Sequence, residues 1–290
     1  MPPTDRLSLR EAAALGLIQG PAELLPISSS SHTALLPWLL GWHCAELDAE
    51  RRRAFDVALH AGAAAALLVA FRAESRGEPK PGLVGLATPR AGSLGMLAPA
   101  IGAPVLAGFL FERFIDSRLS RPAPSAVGLA AGAAAMAWSE RRWRRRGARR
   151  GRTVEQAGVT DGLLLGVAQA LALAPGVSRN GATLAVARAR GFDRVAGDSL
   201  SWQVGMPVIV GAGALKAGRA LGAGRRIGMR SQLLVGAVSA FCSTLVSARA
   251  IDRDRRARDL APYALYRAGL ALFVLRRLRR ERRGGRSAGA

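Results

Sequence analysis

Two short stretches of this 290-residue chain carry residue types that do phosphate and proton chemistry. In the first, "LGLIQGPAELLPISSSSHT" from Leu15, Gln19 and Glu23 stand one helical turn apart, and Ser28, Ser29, Ser30, Ser31, His32 and Thr33 follow Pro26. In the second, "LGVAQALALAPGVSRNGAT" from Leu165, Pro175 precedes Ser178, Arg179, Asn180 and Thr183. The spacing of Gln19 and Glu23 puts both on one helix face. Hydroxyls, a guanidinium and the N–H groups of helices that begin after a proline suit phosphate oxygens. A carboxylate beside them suits Mg²⁺ or Ca²⁺ bridging to the same phosphate. Two plainer readings compete: Glu23 and Arg179 as a structural ion pair, and serines that bond back to the carbonyl four residues earlier. The hydroxyls outnumber what one ion pair needs.

Both stretches lie in apolar text. Half of the residues are hydrophobic, yet the formal charge is +22 from 42 basic and 20 acidic residues. Apolar segments run over about 11–41, 54–71, 93–112, 122–138, 159–187, 199–217, 231–248 and 260–275, with arginine runs between them. Blocks of this length cross a hydrocarbon core of about 30 Å. Alanine and leucine dominate and no period-two alternation appears, so every segment reads as helix. Nucleic acid is a poor partner for this charge, because aromatic residues make up only 5% and the arginines sit at the ends of apolar segments. Cys44 and Cys242 match no metal spacing and read as packing residues. The N-terminal "MPPTDRLSLREAAALGLI" lacks a cleavage signature and is expected to be retained.

The halves resemble each other. Gly16 matches Gly166, Gln19 matches Gln169, Ala22 matches Ala172, and Pro26 matches Pro175 after a one-residue gap. Two proline-broken, polar-centred segments at corresponding places are the sequence sign of an inverted repeat with discontinuous helices. Unpaired backbone and Arg179 cannot face lipid, so each broken segment must line an enclosed or watery cavity. The expected fold is therefore an all-α polytopic membrane protein: an inverted-topology repeat with two re-entrant helical hairpins and about six full transmembrane helices, three per half. The whole chain is a single integral membrane domain, with repeat 1 at about 8–140, a basic linker at 141–157, repeat 2 at about 158–276 and a basic tail at 277–290. Basic residues divide almost evenly between the two faces, so the positive-inside rule assigns no orientation.

At these residues the sequence resembles the bacterial undecaprenyl-diphosphate phosphatase family of the BacA type. The resemblance rests on "GLIQGPAELLPISSSSH" and "AQALALAPGVSRNGAT", and continues through "FDVALHAGAAAALLVAFR" and "APYALYRAGLALFVL". It implies an integral enzyme of the bacterial plasma membrane that hydrolyses a C55 polyprenyl diphosphate to the monophosphate carrier used in peptidoglycan synthesis. It also implies roles in bacitracin resistance and cell shape. Carried over by position, the family's acidic pair falls on Gln19 and Glu23 as metal ligands for Mg²⁺ or Ca²⁺, its serine on Ser29 and its histidine on His32. Its second-segment residues fall on Ser178, Arg179 and Thr183. Gln19 departs from the usual Glu, Asn180 from the usual Ser, and Ser30 and Ser31 from the usual Thr-Gly. The implied mechanism has Glu23, Ser29, His32 and Arg179 as catalytic residues, with Ser28, Ser178, Arg179, Asn180 and Thr183 binding phosphate. Either Ser29 or a water attacks in line, and His32 serves as acid or base.

His60, in "FDVALHAG", reads as a second proton carrier or, by preference, as a satisfied helix histidine. A type 2 phosphatidic acid phosphatase would need a histidine that "SRNGATLAVARARGFD" lacks. A polyprenyl-phosphate transporter or flippase that binds without hydrolysis is the alternative function, and a scaffold whose hairpins only pack is a third. The partners expected are the lipid, the membrane and, where the surface allows it, a second copy of the chain.

Overall fold

The computed structural model describes residues 7–75, 94–119, 121–146, 151–226, 228–252 and 259–287. Ten α-helices account for nearly all of them, and no strand occurs among the described residues. In chain order they are α1 Leu9–Leu24, α2 Ser29–Leu40, α3 Ala49–Ser75, α4 Leu94–Phe114 and α5 Pro122–Arg145. The second half follows with α6 Val159–Leu171, α7 Arg179–Arg190, α8 Arg194–Arg226, α9 Arg230–Asp252 and α10 Ala261–Ser287. Each half thus opens with two short helices and continues with three long ones. Among the described residues, two helices are long and apolar enough to cross a membrane by length and composition, over Ala49–Ala70 and Arg230–Ala250.

Polarity is distributed inside out. Phe109, Leu234, Val246, Leu265 and Phe273 are exposed, whereas Gln19, Ser31, Thr183, Arg188 and Arg267 are buried. A soluble domain rarely exposes so many large apolar side chains while burying so many polar ones, and lipid accepts that arrangement. The fold fits a helical membrane protein.

Packing crosses between the halves: α1 lies along α9, and α6 lies along α4. Small residues set both contacts. Ser243 on α9 donates to the Gly16 carbonyl at 2.9 Å and accepts from the Gly20 N–H at 3.1 Å. In the other half, Gly162 and Gly166 rest on the Met96 and Pro99 carbonyls, and Gln169 donates to the Ala100 carbonyl at 2.9 Å. Between helices already surrounded by lipid, such close approach replaces the hydrophobic driving force that water would supply. Gly62 of α3 meets Ala237 in the same way, and a Cβ there would overlap the Ala237 carbonyl oxygen. Gly62→Ala is therefore expected to destabilise the fold by about 1–3 kcal/mol. A thermal midpoint in detergent equal to that of the parent chain would refute it.

Sequence and structure differ at helix ends. The basic tail expected from residue 277 continues α10 as helix to Ser287. Arginine and leucine are good helix formers, and Arg277 pairs with Glu281 one turn on at 3.2 Å. The arginine run after residue 140 likewise stays helical to Arg145. The apolar segment expected to end at about 71 continues as helix, since α3 extends to Ser75, and 76–93 lie outside the described residues.

Candidate active site

The polar centre forms where the two broken segments meet. In the first, Leu25 is extended (φ −89°, ψ 153°), as a residue before proline prefers, and this ends α1. Ser28 then takes a left-handed φ of 78° before α2 begins at Ser29. The second break ends on the same device: Ser178 has φ 65° and α7 begins at Arg179. Positive φ on a side-chain-bearing residue is strained and persists only where the surroundings impose it. At each break it immediately precedes a 12-residue helix, and residues of both helix starts line one space. Helix starts carry N–H groups without intrahelical partners and a partial positive charge, so two of them directed at one space favour an anion there.

That space is a cavity of about 320 Å³ between α1, α2, α3, α7 and α8. Its focus is Glu23, whose side chain is only 10% exposed. Ser29 Oγ donates to Glu23 Oε2 at 2.7 Å, and Gln19 Nε2 does so at 3.4 Å. Arg179 Nη2 reaches the other oxygen, Oε1, at 3.5 Å. Carboxylate, hydroxyl and guanidinium, drawn from both halves of the chain, thus meet around one group. Arg179 is held from α8, where its guanidinium lies 5.7 Å from the Trp202 ring and fills the space that Gly205 leaves. A Cβ on Gly205 would overlap Nη1 of Arg179. Gly205→Ala is expected to lower turnover about tenfold while α8 stays folded, because a small misplacement of a charged clamp is costly. Parent-level turnover in that variant would show that the guanidinium has room to move.

The remaining sequence candidates divide. Ser28 and Ser178 line the cavity, but their hydroxyls are engaged locally, Ser28 with Ser31 at 3.2 Å and Ser178 as acceptor from the Gly181 N–H at 3.2 Å. Asn180 borders the cavity and ties the halves together, donating to the Leu24 carbonyl at 2.9 Å and accepting from Ser201 at 2.9 Å. Thr183 is fully buried below it, bonded to the Arg179 carbonyl at 2.9 Å and to Ser201 at 2.6 Å. Its hydroxyl braces the first turn of α7 and does not border the cavity. His32 also lies outside the lining: Nδ1 donates to the Ser28 carbonyl at 2.7 Å, and Nε2 accepts from the Tyr266 hydroxyl at 2.6 Å.

The imidazole that does face the cavity is His60 of α3, together with Asp56 one turn earlier. His60 Nδ1 donates to the Asp56 carbonyl at 2.8 Å, which leaves Nε2 as the free ring nitrogen, 4.0 Å from Glu23 Oε2. From its sequence context alone this residue reads by preference as a satisfied helix histidine. The i,i+4 spacing in "FDVALHAG" was the available signal.

The donor set is compatible with a divalent ion held jointly with substrate oxygens. Glu23 supplies a carboxylate, and Gln19 Oε1 is buried without a hydrogen-bond partner, a state that a cation would relieve. No cluster of three His, Cys, Asp or Glu side chains occurs among the described residues, so protein ligands alone do not complete a shell. Mg²⁺ commonly binds through one or two protein oxygens plus phosphates.

A carboxylate–serine–arginine centre inside a fold that fits a helical membrane protein defines the class. The chain belongs to the family described as bacitracin resistance protein BacA, which it matches over residues 12–273. It is 33% identical over 281 residues to undecaprenyl-diphosphatase 1 of Paraburkholderia xenovorans, covering 93% of this chain and 95% of that one. To the undecaprenyl-diphosphatase of Pelobacter propionicus it is 35% identical over 274 residues, covering 90% and 94%. To that of Thermomicrobium roseum it is 31% identical over 281 residues, covering 93% and 98%.

Proposed function

We propose that this chain is an undecaprenyl-diphosphatase of the bacterial plasma membrane, releasing inorganic phosphate and leaving undecaprenyl phosphate for reuse in cell-wall synthesis. The observation that carries the reading is the 2.7 Å hydrogen bond from Ser29 to Glu23, with Arg179 on the opposite carboxylate oxygen. A hydroxyl aimed at a buried base beside a cation is what nucleophilic attack on phosphorus requires. A transporter that only holds a diphosphate needs the cation but has no use for the nucleophile–base pair. The names of the relatives favour the same reading.

In this mechanism the diphosphate enters between the starts of α2 and α7, and Arg179 binds its terminal phosphoryl oxygens. Ser29 Oγ attacks the terminal phosphorus, its proton passes to Glu23, and the bond from phosphorus to the bridging oxygen breaks, releasing the lipid monophosphate. Water then attacks the phosphoserine, and Ser29 recovers its proton as inorganic phosphate leaves. His60 Nε2, beside Glu23, is placed to take the proton of that water. A divalent ion held by Glu23 and Gln19 would neutralise charge on the phosphates. Val57, Val208 and Ile209 on the cavity wall offer an apolar path for the first prenyl units.

The fold reading belongs to the same proposal. The two halves form an inverted-topology repeat, with α1–α2 and α6–α7 as re-entrant hairpins and the six long helices as crossings, three per half. The equal helix order, the paired positive-φ serines and the crossed packing of α1 with α9 and α6 with α4 support it. The bacitracin resistance in the family's description fits an enzyme that removes the diphosphate form.

Phosphate release from undecaprenyl diphosphate by the purified protein, with and without EDTA, tests the function. Substrate binding with no release would favour the transporter. EDTA-insensitive release would remove the metal from the mechanism and leave hydrolysis standing. His60→Gln is expected to lower kcat by about 10²-fold, and unchanged kcat would remove His60 from the proton transfers.

A further inference from the structure

Arg267 lies in the second turn of α10 and is completely buried. No acidic side chain pairs with it among the described residues. Its guanidinium is spent chiefly on backbone, with one further contact from Nη1 to Met136 Sδ at 3.1 Å. Nη2 donates to the Gly176 and Val177 carbonyls, each at 2.7 Å, and Nη1 donates to the Pro26 carbonyl at 3.3 Å. Those carbonyls belong to the two breaks, one in each hairpin, immediately ahead of Ser28 and Ser178. Room for the fork comes from glycines: a Cβ on Gly132 of α5 would overlap Nη2, and one on Gly181 of α7 would lie 2.6 Å from Nη1. The preceding residue, Tyr266, holds the first hairpin a second time, stacking on His32 and donating to its Nε2 at 2.6 Å.

We infer that Arg267 is a positioning residue for the hydrolysis: it fixes the separation of the two hairpins, and so of Ser29 and Glu23 from Arg179. A broken helix leaves carbonyls that lipid cannot satisfy. A planar guanidinium can satisfy several at once in fixed directions, whereas an ammonium is a point donor on a flexible stem. Pairing Arg267 with a carboxylate would occupy the fork; without an acid, Nη2 serves the second break and Nη1 reaches the Pro26 carbonyl beside Met136 Sδ. An isolated arginine in an apolar stretch, "YALYRAGLALF", was the sequence signal.

The inference rests on the proposed function, and its test has an arm that does not. Arg267→Lys keeps the charge and loses the fork. Per folded molecule, its kcat on undecaprenyl diphosphate is expected to fall at least about tenfold with KM within about threefold, because the phosphate-binding groups remain and only their mutual placement changes. Gly132→Ala, which crowds the fork from α5, should act in the same direction, and the double variant should be no worse than the poorer single one. Folded Arg267→Lys with kcat within about twofold of the parent overturns the inference. So does a loss in both variants that only tracks the folded fraction. If Arg267→Lys does not fold, parent-level kcat in Gly132→Ala overturns it alone.

The second arm uses spin labels on cysteines at Leu17 of α1 and Leu171 of α6, both exposed, with Cys44 and Cys242 replaced. The interlabel distance distribution is expected to be narrow in the parent and broader in Arg267→Lys. An unchanged distribution overturns the inference whatever the activity. Should the parent release no phosphate while the distribution still broadens, it is the functional reading that fails.

Discussion

Arg179→Lys is expected to lower kcat for phosphate release by about 10³-fold, the scale on which an arginine acts at a transferring phosphoryl group. Lysine keeps the charge, so the size of the effect comes from geometry. The guanidinium spans from Glu23 Oε1 at 3.5 Å to the space beside Gly205 and the Trp202 ring, a path that a planar fork follows and an ammonium does not. The fold should survive, because α7 is held by groups other than Arg179's side chain: Asn180 on Leu24, Thr183 on Ser201, and Ser178 capping Gly181. A folded Arg179→Lys protein with kcat within about tenfold of the parent would remove Arg179 from the transition state. A loss confined to KM would make it a binding group only.

The second large effect is expected at the nucleophile and its base. Ser29→Ala and Glu23→Gln should each reduce kcat by about 10⁴-fold, and the double variant should be little worse than either, because the two act as one unit. The 2.7 Å contact between them is the reason. Glu23→Gln also removes the only carboxylate that Arg179 meets among the described residues. It should therefore lower stability as well, and turnover must be normalised to folded protein. Retention of most activity by Ser29→Ala would eliminate the phosphoserine and leave direct attack by water, with Glu23 as its base. A phosphoserine trapped on Ser29 after acid quench would decide in favour of covalent attack.

His32 and His60 show the limit of reading along the chain. Both sit at helical spacing from polar neighbours, and the family resemblance points to His32, nine residues from Glu23. The fold separates the two: the turn of α2 carries His32 toward Tyr266 of α10, while α3 brings His60 back to Glu23 from 37 positions away. Thr183 is similar. Its position after Arg179 suggested a phosphate ligand, yet a threonine one turn into a helix bonds most easily to the carbonyl four residues earlier, and its hydroxyl does so.

By itself the sequence determined the two broken hydroxyl-rich segments, the helical and apolar character of the rest, and the carboxylate, serine and arginine of the candidate site. Those features depend on local rules: proline ends a helix, an apolar run of sufficient length is stable in lipid, and a charge in such a run must find a partner. Only the tertiary structure decided which partner. Arg179 meets Glu23 across 156 positions, and Arg267 reaches Pro26 across 241. Trp202 and Gly205 shape the space for one guanidinium, and Gly132 and Gly181 for the other. Such choices arise from the packing of helices from opposite halves, and a residue's neighbours along the chain do not encode which side chain will arrive from the other half.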